Sequence, residues 1–104
     1  MKVIWSLKAQ QSFIEIADYI FEFFGDNAKD NFRDEIFAVA KQLEKMPNLG
    51  KVEPLLISNP KSYRSIVINK HSKMVYFIEN ESVYIADIWE TRKEPLNQAN
   101  QIDA

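Results

Sequence analysis

Arg64, Lys70, His71, Lys73, Glu90, Arg92 and Lys93 gather most of the chain's candidate chemistry between positions 64 and 93. A guanidinium presents a planar fork of donors and stays charged, so Arg64 and Arg92 are the groups best able to grip a phosphate in bidentate fashion. Lys70, Lys73 and Lys93 add point charges of the kind that contact a phosphate backbone. His71, the only histidine, is the side chain most easily poised near neutral pH. Glu90 could serve as a base only if burial outweighed its cationic neighbours; otherwise it orients Arg92. Other chemistries lack their parts. With two glycines there is no glycine-rich phosphate loop or nucleophile elbow, and with no cysteine and one histidine there is no zinc-type ligand set. No metal and no cofactor are expected.

Three apolar runs position most of these residues: Tyr63 to Ile68, Met74 to Ile78 and Val83 to Trp89, rich in β-branched and aromatic residues. Their separators, Lys70-His71-Ser72-Lys73 and Glu79-Asn80-Glu81-Ser82, are short enough to join antiparallel neighbours. Strict alternation along the last run would put Val83, Ile85, Asp87 and Trp89 on one face, and Tyr84, Ala86 and Ile88 on the other. Trp89 or Tyr84 could stack a base, or simply pack in the core. The run ends in a charged tail, Glu90-Thr91-Arg92-Lys93-Glu94-Pro95.

Ahead of this meander, Lys2 to Trp5 reads as a short strand and Ser6 as the N-cap of a helix ending near Phe24, before Gly25. Phe13, Ile16, Ala17, Ile20 and Phe24 share its inner face, and Ile14, Phe21 and Phe23 widen the stripe as if for contact on two sides. Asp26 or Asn27 is expected to cap a second helix carrying Phe32, Ile36, Val39, Ala40 and Leu43, which Met46-Pro47 stops. Leu55-Leu56-Ile57 could form a further short strand. Residues 95 to 104 read as a loose tail or short helix. The fold class is α+β: a single two-layer domain over residues 1–104, with the N-terminal strand and an antiparallel helical hairpin on one face of a small antiparallel sheet.

At 104 residues and 46% apolar composition the chain can bury such a core without staples. The opening apolar run is too short for a secretion signal, and no stretch approaches the roughly 20 apolar residues of a membrane span, so a cytoplasmic protein is expected. The net charge of −2 is unevenly spread: residues 1–50 hold six basic and eight acidic side chains, and residues 58–95 six and five. The helical half leans acidic, with Glu15, Asp18, Glu22, Asp26, Asp30 and Asp34 three or four apart on a solvated face that would also suit a basic partner segment.

A strand, a long helical hairpin, then Ser62-Tyr63-Arg64-Ser65-Ile66-Val67-Ile68 and a last strand running into the Glu90 to Pro95 tail resembles the RelE/ParE superfamily of bacterial toxins, from Lys2 to about Pro95. The resemblance implies the toxin half of a type II toxin–antitoxin pair, held inactive by a cognate antitoxin. One branch of the superfamily cuts mRNA on the ribosome and the other poisons DNA gyrase. Arg64 matches a position where the RNA-cutting branch carries a functional arginine and Arg92 falls near the second, which implies a metal-independent endoribonuclease with Glu90 as acid or base and Lys70, His71, Lys73 and Lys93 on the RNA. Glu90, however, stands where many RNA-cutting members place a His, and no Tyr follows Trp89. That departure brings the chain closer to the gyrase-directed or chemically degenerate members, yet ribosome-dependent mRNA cleavage stays the leading expectation, with gyrase inhibition or retained antitoxin binding alone as the alternatives. The simpler role for Arg64 is an ion pair with Asp87 or Glu90 across the sheet. The simpler role for His71 is a solvated turn at the opposite end of the sheet from Arg92.

Overall fold

The structure, a computed structural model, describes residues 1–90, 92–93 and 95–102. Thr91 and Glu94 of the tail motif, and Asp103 and Ala104, lie outside the described residues. Strand β1 (Lys2–Trp5) leads into helices α1 (Leu7–Phe24) and α2 (Asp26–Lys45). A two-residue strand β2 (Lys51–Val52) and a 3-10 turn (Pro54–Leu56) follow. The meander β3 (Arg64–Asn69), β4 (Ser72–Glu79) and β5 (Ser82–Glu90) precedes a short helix α3 (Pro95–Gln101).

Local signals set most of these bounds. The Ser6 hydroxyl accepts the Ala9 N–H at 2.9 Å, capping α1. Neither Asp26 nor Asn27 caps α2. Gly25 takes both roles, closing α1 through its N–H to the Phe21 carbonyl (2.9 Å) and opening α2 through its carbonyl to the Lys29 N–H (3.2 Å). Its φ of 87° is one that a side chain disfavours, so the sharp reversal needs glycine. The expected strand at Leu55-Leu56-Ile57 is instead the 3-10 turn, because Pro54 cannot donate to a ladder and fits the start of a helical turn.

The sheet order is β1-β5-β4-β3-β2, antiparallel except that β1 joins β5 in parallel, which makes the sheet mixed. One core lies under the hairpin, where Ile16, Ala17, Ile36 and Leu43 meet Met74, Tyr76, Ile85 and Ile88. A second core lies on the reverse face, where α3 and the 3-10 turn lay Ala99, Ile102 and Leu56 on Val75, Trp89 and Tyr63. Ile14, Phe21 and Phe23 do not find two packing partners; they stay exposed on α1, as does Phe24 at its end.

Simple alternation fails along β5. Val75 pairs with Asp87 and the next residue, Tyr76, with Ile85, which leaves Ala86 as an extra residue in a β-bulge. One inserted residue reverses the facing of everything after it. Ile88 therefore joins Val83 and Ile85 under the hairpin, and Trp89 turns to the reverse core.

Two buried carboxylates pin the layers. Glu53 is fully buried and accepts from the Leu55 N–H (2.9 Å), the Ser65 hydroxyl (2.9 Å) and the Lys73 ammonium. Burial alone would raise its pKa, but these donors outweigh it and hold the carboxyl below its usual range. Asp87 accepts from the Ser12 hydroxyl (2.5 Å) and the Ile88 N–H (2.8 Å), and here burial wins and raises the pKa. The two therefore respond oppositely to acid. Stability supplied by Glu53 is present above the unfolded glutamate pKa of about 4.3 and is lost as pH falls through its lower folded value. Glu53→Gln should accordingly cost about 2–4 kcal/mol at pH 7, with the deficit shrinking below pH ~4 in urea melts. Asp87→Asn keeps an acceptor for both donors and removes a desolvated charge, so its stability at pH 7 should be within about 1 kcal/mol of wild type or above it.

Candidate target-binding site

The bulge that sends Trp89 to the reverse face sends Glu90 toward the hairpin. Glu90 is 7% exposed, and its carboxylate pairs with the Arg92 guanidinium and with the Lys93 ammonium at 3.6 Å. Lys93 also reaches Glu15 on α1 at 3.7 Å, an exposed contact worth little in water. The Arg92 guanidinium carbon lies 3.5 Å from the ring centroid of Tyr19, also on α1. Arg92 is thus held on two sides, by a carboxylate and by an aromatic face.

The β3–β4 turn completes the site. A meander reverses twice, so the end of its third strand returns beside its first turn; Ser72 pairs with Glu90, and His71 sits at the same end of the sheet as Arg92, not the opposite one. Asn69 fixes the turn by accepting the His71 N–H at 2.8 Å and the Ser72 hydroxyl at 3.1 Å. His71, Ser72, Glu90 and Arg92 line a cleft of about 170 Å³ whose other wall is apolar, formed by Ile16, Ile20, Phe24 and Phe32 of the hairpin. The cleft thus sets one arginine, paired to a carboxylate, beside an apolar wall.

Arg64 stands apart. It pairs with Tyr76, four residues along β4 from Ser72, roughly 13 Å at the ordinary strand rise. Its guanidinium donates to the Gly50 carbonyl at 2.7 Å, while the Gly50 N–H donates to the Tyr76 hydroxyl at 2.8 Å. A Cβ at Gly50 would lie 2.8 Å from that hydroxyl, so only glycine lets the loop close on Arg64. The ion pair with Asp87 or Glu90 does not form, since those carboxylates are taken by Ser12 and by Arg92 with Lys93. Arg64 and Arg92 thus hold separate partners, Gly50 for the one and Glu90 with Tyr19 for the other.

Lys73 is committed as well, bound to Glu53 with its ammonium 5.1 Å from the Trp89 ring centroid. It and Lys70 line a groove of about 310 Å³ on the reverse face, with Leu55, Val67 and Trp89. Among the described residues no group of three or more His, Asp or Glu side chains is placed to hold a metal ion, and no helix is long and apolar enough to cross a membrane. Tyr19, under Arg92, and Glu53, under Lys73, hold positions that sequence reasoning misses. Only Glu53 leaves a local signal, an acid directly before Pro54 at the start of a helical turn.

The family model of the ParE toxin of type II toxin–antitoxin systems, parDE, matches residues 3–95. The chain belongs to this family. Among solved structures it is similar to the chromosomal ParDE system from P. aeruginosa, with a TM-score of 0.71 and 19% identity over 86% of this chain and 95% of that one. It is also similar to a YoeB/ParE toxin from Agrobacterium tumefaciens, with a TM-score of 0.59 and 14% identity over 86% and 98%. A third likeness is to the YoeB dimer from Staphylococcus aureus, with a TM-score of 0.55 and 20% identity over 84% and 92%. No protein of curated function matches the sequence. The structural likenesses establish the fold, and the family establishes a type II toxin, which implies a cognate antitoxin.

The stacking of Arg92 on Tyr19 has a direct energetic test. A double-mutant cycle of Tyr19→Leu and Arg92→Ala, read by urea unfolding, should give a coupling of about 0.5–2 kcal/mol, and Tyr19→Phe should retain most of it.

Proposed function

We propose that this ParE-family toxin arrests growth by binding a protein target, DNA gyrase, rather than by cutting mRNA on the ribosome. One observation carries the reading: the groups that a metal-free nuclease would need are dispersed or sealed. Cleavage of RNA asks for a base at the 2′-hydroxyl and cations around one phosphoryl group. Here the arginines are separated along the sheet, and Glu90, the carboxylate beside Arg92, is buried and paired with that arginine and with Lys93. Arg92, half-exposed and held at the mouth of an apolar cleft, is arranged as an interface anchor, the residue type that dominates binding energy at protein surfaces. Family membership supports gyrase over other protein targets, because the ParE branch of the superfamily is the gyrase-directed one.

The antitoxin has a natural seat on the hairpin. Leu7, Ile14 and Phe21 recur every seven residues along α1 and are exposed, with exposed Phe37 of α2 beside them. A seven-residue apolar line receives an amphipathic helix. Exposed Glu15, Asp18 and Glu22 run beside that line, so the complementary segment is basic on its flank.

Brief induction in bacteria tests the target. Thymidine incorporation should fall before methionine incorporation, and Arg92→Ala should weaken the arrest at least about tenfold, the equivalent of 1.4 kcal/mol, while remaining folded. An early fall in methionine incorporation would restore the nuclease reading. Ile14→Ser with Phe21→Ser should leave the arrest intact but weaken neutralisation by the antitoxin by about tenfold or more, measured as the antitoxin dose that restores growth.

A further inference from the structure

We propose that Gln98 is a positioning residue for the Arg92 site, acting through the backbone of Glu90; the inference rests on Arg92 being the group that engages the target. Strand β1 pairs with β5 only from Ser82 to Ile85, so the far half of that edge has no neighbouring strand. A buried peptide group without a partner is costly, and Glu90 sits on this open edge. The Gln98 side chain, 6% exposed, accepts the Glu90 N–H at 2.8 Å and donates to the Glu90 carbonyl at 3.0 Å. One amide thus does what one residue of a missing strand would do.

The consequence reaches Arg92 because Arg92 and Lys93 lie between the two bonded residues. Glu90 is one foot of that segment and Gln98 the other, and α3 holds Gln98 in place by laying Ala99 and Ile102 in the reverse-face core. The Lys93 N–H donates to the same Glu90 carbonyl at 3.3 Å. With both feet fixed, the Glu90 backbone is held where its carboxylate pairs with Arg92, which lies over Tyr19, and with Lys93. The chemistry demands glutamine. Glutamate would accept the N–H but meet the carbonyl with a second oxygen and set a charge beside Glu90; leucine offers neither bond, and asparagine is one methylene short.

Gln98→Leu keeps the volume and removes both bonds, and Gln98→Glu keeps one. Growth arrest, thermal midpoint and hydrogen exchange at the Glu90 amide are measured on the full chain. Gln98→Leu should weaken the arrest at least about tenfold and speed Glu90 exchange by a similar factor, with Gln98→Glu in between. Val83→Ala, a buried change at the far end of β5, serves as the control, chosen to match the loss in midpoint. It should retain the arrest. Wild-type arrest by Gln98→Leu, or an equal loss in Val83→Ala, would overturn the positioning role. If Gln98→Leu does not fold, unchanged arrest by Gln98→Glu does the same. Should Arg92→Ala keep full toxicity, the reading of the site itself fails; loss in Arg92→Ala without loss in Gln98→Leu refutes this inference alone.

Discussion

The half-paired edge of β5 is the constraint on which the rest of the structure depends. β5 is flanked by β4 along its length and by β1 over only four residues, and beyond Ile85 other groups must satisfy its backbone. The Ser6 N–H reaches the Ile85 carbonyl at 3.0 Å and its hydroxyl donates to the Ala86 carbonyl at 2.9 Å. Asp87 serves the Ile88 N–H, and Gln98 serves both groups of Glu90. Each of these side chains has a second duty. Ser6 caps α1, Asp87 receives Ser12 and so ties α1 to the sheet, and Gln98 ties α3 to the site. Completing one edge therefore fixes both helical layers against the strand that ends in Glu90.

The same economy governs the charges. The family's alternatives are distinguished by whether cations and a base can meet at one phosphate, and in this chain three of the candidate cations already have internal acceptors. Lys73 neutralises Glu53, Arg64 closes the Gly50 loop, and Arg92 answers Glu90. Of these, Arg92 is the one that lines the cleft beside the hairpin, where a partner carboxylate could share it with Glu90. A binding function needs that one shared contact. A nuclease would need several to open together.

The fold was largely legible because its signals are local. Ser6, Gly25 and Pro47 mark helix ends within a residue or two of where the chain turns, and β-branched runs with polar turns mark the meander. The charge cluster of Glu90, Arg92 and Lys93 was legible for the same reason, being contiguous. What stayed hidden depends on distant pairing. The Ala86 bulge is set by how β5 meets β4, and no feature of Val83 to Trp89 alone says where the alternation breaks. Glu53 looks like a loop acid until Ser65 and Lys73, from two other strands, are brought to it. Tyr19 reads as an ordinary residue on the rim of an apolar stripe, and Gln98 as one polar residue in a polar tail. Parallel pairing of β1 with β5 likewise needs the whole intervening chain.

The most direct measurement is supercoiling of relaxed plasmid by purified gyrase, titrated with the purified toxin free of its antitoxin. Binding through the Arg92 cleft predicts that supercoiling falls as toxin is added and recovers when antitoxin is supplied. Undiminished supercoiling at saturating toxin would contradict the account and return the chain to the ribosome-directed branch of its superfamily.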